Sequence, residues 1–94
     1  MGKLKTSKQL ERHFKGIANH WRLDIILLIA KKPDISVEEI VRTLDGNEKT
    51  IAEHTRRLTI AGLINKTYKG RNVQHILSPY GEKFVSFIKT FQQT

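Results

Sequence analysis

Apolar residues in the first part of the chain recur at helical spacing. One face of a predicted helix over residues 7–17 carries three of them: Leu10, Phe14 and Ile17. Ser7 is the predicted N-cap of this helix. The next segment, His20–Lys32, is apolar on nearly all sides and follows the capping residue Asn19, which indicates a helix buried at the centre of the domain. Pro33 ends this helix, because proline cannot continue the hydrogen-bond pattern.

Two shorter amphipathic segments follow, and a tight turn separates them. Ser36 opens a Ser-Val-Glu-Glu capping box, which predicts a helix over Val37–Leu44. The turn Asp45-Gly46-Asn47 leads into a second helix over Glu48–Ala61, and Gly62 is its predicted C-cap. Two short helices joined in this way form a helix–turn–helix.

The pattern then changes to that of β-strands. Leu63–Tyr68 and Val73–Ser78 are rich in β-branched and aromatic residues, and they flank Lys69-Gly70-Arg71-Asn72, which predicts a hairpin with a basic tip. Proline opens a last helix over residues 79–92. The predicted fold class is therefore mainly α with a β-hairpin wing, a winged helix–turn–helix of order α-α-α-α-β-β-α. Residues 1–94 are predicted to form a single domain.

The charge of the chain points to a polyanionic partner. The 94 residues include 17 Lys and Arg against 9 Asp and Glu, a net charge of +8. The positive excess lies in residues 1–15 and 55–94, whereas the middle is mildly acidic. A strongly basic domain is typical of nucleic-acid-binding proteins, and a soluble basic protein without such a partner is the alternative.

The residue types that are missing exclude several classes of protein. The absence of cysteine excludes a disulfide scaffold, an iron–sulfur cluster, a thiol enzyme and a zinc site with thiolate ligands. The 4 histidines fall on separate elements and no nucleophile is paired with a base, so we predict no metal site, no catalytic site and no cofactor. The longest apolar run, Ile25–Ala30, is far shorter than the ~18 residues of a membrane span, and no signal-peptide pattern is present. We therefore expect a cytoplasmic protein without a membrane partner.

The second helix of the helix–turn–helix and the hairpin tip carry the candidate DNA-binding residues. Five of them lie on the predicted exposed face of the helix: Lys49, Thr50, Glu53, Arg56 and Arg57. Three lie at the tip: Lys69, Arg71 and Asn72. Basic side chains neutralise phosphates or bond guanine edges, threonine contacts phosphate or a thymine methyl, and glutamate accepts from cytosine. The alternative is a solvated helix face on which Glu53 pairs with Arg56 and Arg57.

An aromatic stripe on the last helix predicts a dimer. Together with the apolar face of the first helix it gives seven candidate interface residues: Leu10, Phe14, Ile17, Phe84, Phe87, Ile88 and Phe91. A chain this small does not usually cover such a surface alone, which favours a two-fold homodimer. Docking of the stripe on the chain's own core, a cofactor pocket and a membrane face are the alternatives. A two-fold dimer would require a palindromic operator.

Several segments between roughly residues 17 and 81 resemble ArsR-type (arsenical-repressor-like) regulators. They match the second helix, the helix–turn–helix, the exit into the wing and the wing tip of that family: Ala18–Leu23, Ser36–Ile40, Thr50–Leu58, Ala61–Ile64 and Lys69–Arg71. Leu77–Gly81 is closer to the wing exit of MarR- and PadR-type winged helices. The resemblance implies a homodimeric transcriptional repressor that dimerises through its terminal helices and releases DNA when an effector binds.

The chain departs from this family at the positions that sense metals. Metal-sensing members carry paired cysteines on the helix that is Glu39–Asp45 here, and the other metal site of the family needs His and carboxylates where this chain has only Glu82. The resemblance therefore implies sequence-specific binding of double-stranded DNA without metal sensing, and the effector stays unidentified. A non-specific nucleic-acid-binding protein and a winged helix used for protein interaction are the alternative functions.

Overall fold

The elements of the computed structural model, which describes residues 4–93, follow the predicted order with one addition. Five helices and three strands occur in this sequence: α1 (Ser7–Ile17), α2 (His20–Lys31), β1 (Ile35–Ser36), α3 (Val37–Leu44), α4 (Glu48–Ile60), β2 (Ile64–Lys69), β3 (Asn72–Leu77) and α5 (Pro79–Gln92). The predicted winged helix–turn–helix is confirmed. The additional strand, β1, pairs antiparallel with β3 in a sheet of order β1-β3-β2. It has two residues, too few for a strand periodicity to be visible in the sequence.

Side-chain caps set the beginnings of the helices. Asn19 and Ser36 cap α2 and α3 as predicted, and Asn47 and Ser78 likewise accept hydrogen bonds from the first turns of α4 and α5. The prediction for α1 was wrong, because its cap is Thr6 and not Ser7. Gln9 N donates to Thr6 Oγ1 over 3.2 Å, and Thr6 N donates to Gln9 Oε1 over 2.8 Å. Ser7 is followed three residues later by Leu10, which offers no acceptor, so only Thr6 can form this reciprocal pair.

The core lies between α2, the helix–turn–helix and the sheet. Ile25, Ile26 and Ile29 are fully buried, as the prediction of a central helix requires. Ile51 and Leu58 of α4 and Leu63 and Ile64 at the exit from α4 are also fully buried. Because α4 contributes its inward stripe to this core, its opposite face is held outward in a fixed orientation.

Two glycines allow the terminal helices to lie close to the rest of the domain. A Cβ atom on Gly16 would lie 2.2 Å from Ala61 Cβ, and one on Gly81 would lie 1.9 Å from the carbonyl oxygen of Leu63. Any larger residue at either position would push a helix away. Ser78 fixes the second approach, since its hydroxyl donates to Gly62 O over 2.6 Å and accepts from Gly81 N over 3.0 Å. The Leu-Ser-Pro-Tyr-Gly segment, residues 77–81, therefore holds the start of α5 close to Gly62 and Leu63, which follow α4.

Candidate nucleic-acid interface

The outward face of α4 consists of the side chains that the helical rotation predicts. Ile51 and Leu58 are fully buried, and Thr55 is 1% exposed with its hydroxyl bonded to Ala52 O at 2.8 Å. These three side chains form the inward stripe of α4, opposite the face that was predicted to be exposed. Lys49 and Arg56 are exposed on the other side of the helix, and Lys49 forms no salt bridge with any residue between 4 and 93.

The N-terminal end of α4 is ordered by its cap. Asn47 Oδ1 accepts a hydrogen bond from Thr50 N over 3.2 Å and a longer one from Thr50 Oγ1 over 3.5 Å. Thr50 is nevertheless exposed, so its hydroxyl can exchange this weak contact for a phosphate oxygen. Lys49 and Thr50 therefore lie where a helix N-terminus already favours negative charge.

Glu53 holds both arginines of the outward face. Arg56 Nε donates to Glu53 Oε1 over 2.8 Å, and Arg56 Nη2 donates to Glu53 Oε2 over 2.6 Å. Arg57 Nε donates to the same Oε2 over 3.2 Å. The hydrogen bonds from Arg56 are the largest cause of a pKa of about 2 for the Glu53 carboxyl, below its ordinary 4.5. The surface pairs that the sequence left as an alternative are therefore formed.

The turn of the wing is tighter than the sequence indicates, while both strands keep the predicted length of six residues. β2 and β3 pair in register from Ile64↔Leu77 to Lys69↔Asn72, so only Gly70 and Arg71 form the turn. Gly70 has a φ of +63°, which glycine adopts without strain at the first position of a two-residue hairpin turn. Lys69, Arg71 and Asn72 are all exposed.

The wing tip and α4 border one groove. A groove of about 250 Å³ is lined by Arg71 and Asn72 from the wing and by Glu48 and Ala52 from α4. Of the eight candidate DNA-binding residues only Arg71 and Asn72 line this groove, and the five candidates on α4 do not. Val37 and Glu38 of α3 complete the lining.

The sequence did not predict the structural role of His54, which links α4 to α2 through a hydrogen bond. Its Nδ1 accepts from Arg22 Nε over 3.2 Å, and Arg22 Nη1 donates to Lys15 O and Gly16 O over 3.4 and 3.3 Å. Partial burial, followed by the charge of Arg22, lowers the pKa of His54. Arg22 thereby joins α1, α2 and α4. The sequence shows no signal for this link, because the two residues are 32 positions apart.

The amino-acid sequence of the chain is similar to that of a known protein. No protein-family model matches the chain. The arsenical resistance operon repressor of Escherichia coli (strain K12) is 31% identical over 67 residues, which cover 71% of this chain and 57% of the repressor. The chain thus spans little more than half of that relative's length. The chain is therefore similar to an ArsR-type repressor over most of its own length, and its fold is a winged helix–turn–helix.

Solved structures share the fold of this chain over nearly its whole length. HlyU from Vibrio cholerae N16961 superposes with a TM-score of 0.83 at 22% identity, covering 95% of this chain and 97% of HlyU. A fragment of Mb0332 from Mycobacterium bovis superposes with a TM-score of 0.81 at 21% identity, covering 98% of this chain and 90% of the fragment. That fragment is described as a homodimeric winged helix–turn–helix DNA-binding domain of a possible ArsR-family regulator. At 21–22% identity, these superpositions establish the shared fold.

The histidines and carboxylates in the part of the chain that the structure describes are not clustered as metal ligands. Among residues 4–93, no group of three or more His, Asp or Glu side chains is placed to hold a metal ion. His13 and His75 are buried, and their Nδ1 atoms donate to Ala61 O and Ile35 O over 2.8 and 3.0 Å. No helix within the described range is long and apolar enough to cross a membrane.

The terminal helices form a continuous aromatic surface beside the domain core. Phe14 of α1 meets Phe84 of α5 edge to face with ring centroids 5.4 Å apart, and Phe87 meets Phe91 at 4.9 Å. Four predicted interface residues stay substantially exposed, at 42, 47, 49 and 72%: Leu10, Phe14, Phe87 and Phe91.

Ile17 requires a correction, because it does not belong to this exposed surface. Its side chain is 6% exposed and packs in the chain's own core. The close approach of Gly16 to Ala61 brings the end of α1 against α4, which covers Ile17. Phe84 and Ile88 are half-buried against the same core and expose only their outer edges.

The basic wing tip predicts a salt-dependent contribution to DNA binding. We expect the double variant Lys69→Ala/Arg71→Ala to bind every duplex less tightly, because each side chain would release about one counterion from a phosphate. The slope of log K against log salt should become shallower by about 2. Anisotropy titrations of a random-sequence duplex over a salt series measure this slope. The matched control is Lys8→Ala/Lys89→Ala, which removes the same charge from α1 and α5; an equal change there would assign the effect to net charge alone.

Proposed function

We propose that the chain binds double-stranded DNA in a sequence-specific manner as a homodimeric transcriptional regulator that acts as a repressor in the cytoplasm. The observation that carries this proposal is the exposed basic face of α4, with Lys49, Arg56 and Arg57, together with a wing whose tip borders the same groove as the first half of α4. The relationship to the arsenical resistance operon repressor supports it. No nucleotide sequence or effector is assigned.

The recognition helix in this proposal is α4. A helix fits the major groove, and Arg56 and Arg57 are exposed toward the C-terminal end of α4, where arginine can bond guanine O6 and N7. Lys49 and Thr50 lie at its N-terminal end, where contacts to phosphate fix the position of the helix on the duplex. Lys69, Arg71 and Asn72 of the wing contact the neighbouring backbone or minor groove.

The dimer in this proposal forms through the terminal helices, residues 7–17 and 79–92, around a two-fold axis. The exposed aromatic surface of α1 and α5 supports it, because an isolated domain rarely leaves several adjacent aromatic rings half exposed. Two recognition helices related by such an axis contact half-sites centred about 10 bp apart, so the operator is palindromic.

A selection experiment tests the sequence-specific function. The wild-type chain is used to enrich duplexes from a randomised library, and the enriched duplex is compared with a scrambled one of the same composition. We expect the enriched site to be palindromic and to be preferred by at least about a thousandfold. Equal affinity for both duplexes would indicate a non-specific nucleic-acid-binding protein. A failure to bind any duplex would indicate a protein-interaction module.

The substitution Arg56→Ala tests the assignment of α4 as the recognition helix. Loss of a bidentate guanine contact should cost about 1–3 kcal/mol on the enriched duplex and relax the preference at one base position. Binding to the scrambled duplex should change much less. Lys8→Ala on α1 removes one charge from an exposed position elsewhere and serves as the control. Unchanged affinity of Arg56→Ala for the enriched duplex would remove α4 from the interface.

A further inference from the structure

Glu53 engages Arg56 along one particular edge of the guanidinium group. The two carboxylate oxygens accept from Nε and Nη2, which are the side-on donors of arginine. The partners lie three residues apart on the helix, and both remain about half exposed, with 52% and 45% of their side-chain surfaces accessible. This is a planar, bidentate pair and not a single long contact.

The arrangement leaves the other edge of Arg56 available. Arginine has five N–H groups in a fixed fork, so after two are used the end-on edge still offers one N–H from Nη1 beside one from Nη2. No hydrogen bond among residues 4–93 uses Arg56 Nη1. Arg57 donates to Glu53 only through Nε, which leaves its end-on edge unused in the same way. The end-on edge is the fork that matches guanine O6 and N7.

The charge of Glu53 has a second consequence for the outward face of α4. With a pKa of about 2 the carboxyl is ionised at neutral pH, so it offsets one of the two arginine charges. Binding to DNA of any sequence depends on the number of phosphates that are neutralised. A carboxylate at the centre of the face therefore lowers affinity for arbitrary DNA, while the oriented forks keep their ability to recognise a base.

We propose that Glu53 is a positioning residue that determines specificity: it orients the arginine forks toward base edges and suppresses non-specific phosphate contacts. This inference rests on the proposed DNA-binding function. It replaces the expectation that Glu53 itself accepts from cytosine, because its two oxygens already accept three N–H groups. Lysine could not take the place of Arg56, since an ammonium group has no planar fork to orient.

Four proteins compared with the wild type test the inference: Glu53→Gln, Arg56→Ala, the double variant of both, and Glu48→Gln. Glu48 is an exposed acidic residue in the first turn of the same helix and forms no salt bridge with residues 4–93, so Glu48→Gln matches the change in charge without touching the arginines. The probes are the duplex enriched by the wild-type chain and a scrambled duplex. Each affinity is measured by anisotropy at several salt concentrations.

We expect Glu53→Gln to lower the ratio of enriched to scrambled affinity on the order of tenfold beyond Glu48→Gln, because it frees two arginines in addition to changing the charge. In the Arg56→Ala background, the effect of Glu53→Gln on this ratio should be smaller than in the wild type, because only Arg57 is then left to be freed. The thermal midpoint should hardly move, because exposed ion pairs contribute little stability.

Three outcomes separate the inference from the function on which it rests. If the wild-type chain does not discriminate between the duplexes, the proposed function fails before any variant is compared. If it discriminates, but Glu53→Gln and Glu48→Gln lower the ratio equally, Glu53 acts through charge alone and the inference is overturned. If the double-mutant cycle shows no coupling between Glu53 and Arg56, the orientation of Arg56 is not the cause and the inference is likewise overturned.

Discussion

The substitution Phe87→Glu is expected to convert the protein from a dimer to a monomer and to weaken binding to the enriched duplex at least a hundredfold. Phe87 is 49% exposed on α5 and packs against Phe91, so its outer half is available to a second copy. Burial of a phenylalanine contributes roughly 1.5–3 kcal/mol, and each symmetric dimer contains the contact twice. A buried glutamate without a partner would reverse this contribution.

The loss of DNA affinity follows from the loss of the second recognition helix. A dimer binds its second half-site at a high effective concentration, which raises affinity by about 10²–10⁴ over a single domain. Analytical ultracentrifugation at about 20 μM, in the range where such interfaces associate, measures the state of both proteins. Ser86→Glu introduces the same charge at the adjacent exposed position and is the matched control. A wild-type chain that sediments as a monomer at this concentration would contradict both the dimer and the palindromic operator.

Local chemistry explains why most of the fold could be predicted. Caps such as Asn19 and Asn47 depend on neighbours two or three residues away, and the inward stripe of α4 depends on a rotation of 100° per residue, so both are visible in the sequence. β1 could not be predicted in this way. Its two residues become a strand only because β3, some 40 positions later, lies beside them.

Ile17 shows where a helical stripe misleads. Leu10, Phe14 and Ile17 share a face, which suggests that they share a neighbour. In the structure, α1 has two different neighbours: Gly16 packs against Ala61 at the end of α4, whereas Phe14 packs against Phe84 of α5. The stripe therefore divides between the core and the exposed aromatic surface, and the close approach that divides it is a tertiary feature.

The candidate site was predictable as a set of residues but not as a set of contacts. Spacings of three and four residues allow Glu53 to pair with Arg56 and Arg57, yet the same side chains could equally well extend toward bases. Only the geometry shows that the carboxylate takes the side-on donors and leaves the end-on fork. Buried histidines were missed for a related reason, since their partners are backbone carbonyls far along the chain.

His75 makes the domain sensitive to acid. It is fully buried on β3, its Nδ1 donates to Ile35 O over 3.0 Å, and its Nε2 has no hydrogen-bond partner among residues 4–93. Burial is the main cause of the lowered pKa of His75; nearby Lys66 lowers it further, while the bond to Ile35 and the charge of Glu38 oppose the shift. Protonation of His75 would place a charged N–H without a hydrogen-bond acceptor in the core, on the central strand of the sheet.

Stability is therefore expected to fall as the pH drops below 6.5. A lowered pKa in the folded state means that the unfolded chain binds more protons, so the free energy of unfolding rises with pH in this window. The slope contributed by one histidine approaches about 1.4 kcal/mol per pH unit between its unfolded and folded pKa values. Urea unfolding followed by circular dichroism at a series of pH values from about 5 to 8 covers this window.

The variant His75→Asn isolates the contribution of His75 to this slope. Its amide can donate to Ile35 O from a similar position but cannot be protonated, so the variant should be less stable at pH 8 and yet show a flatter pH dependence. If the pH dependence of stability is unchanged in His75→Asn, His75 is not its cause, and His54 is the next candidate. Nδ1 of His54 must lose its hydrogen bond from Arg22 before it can bind a proton.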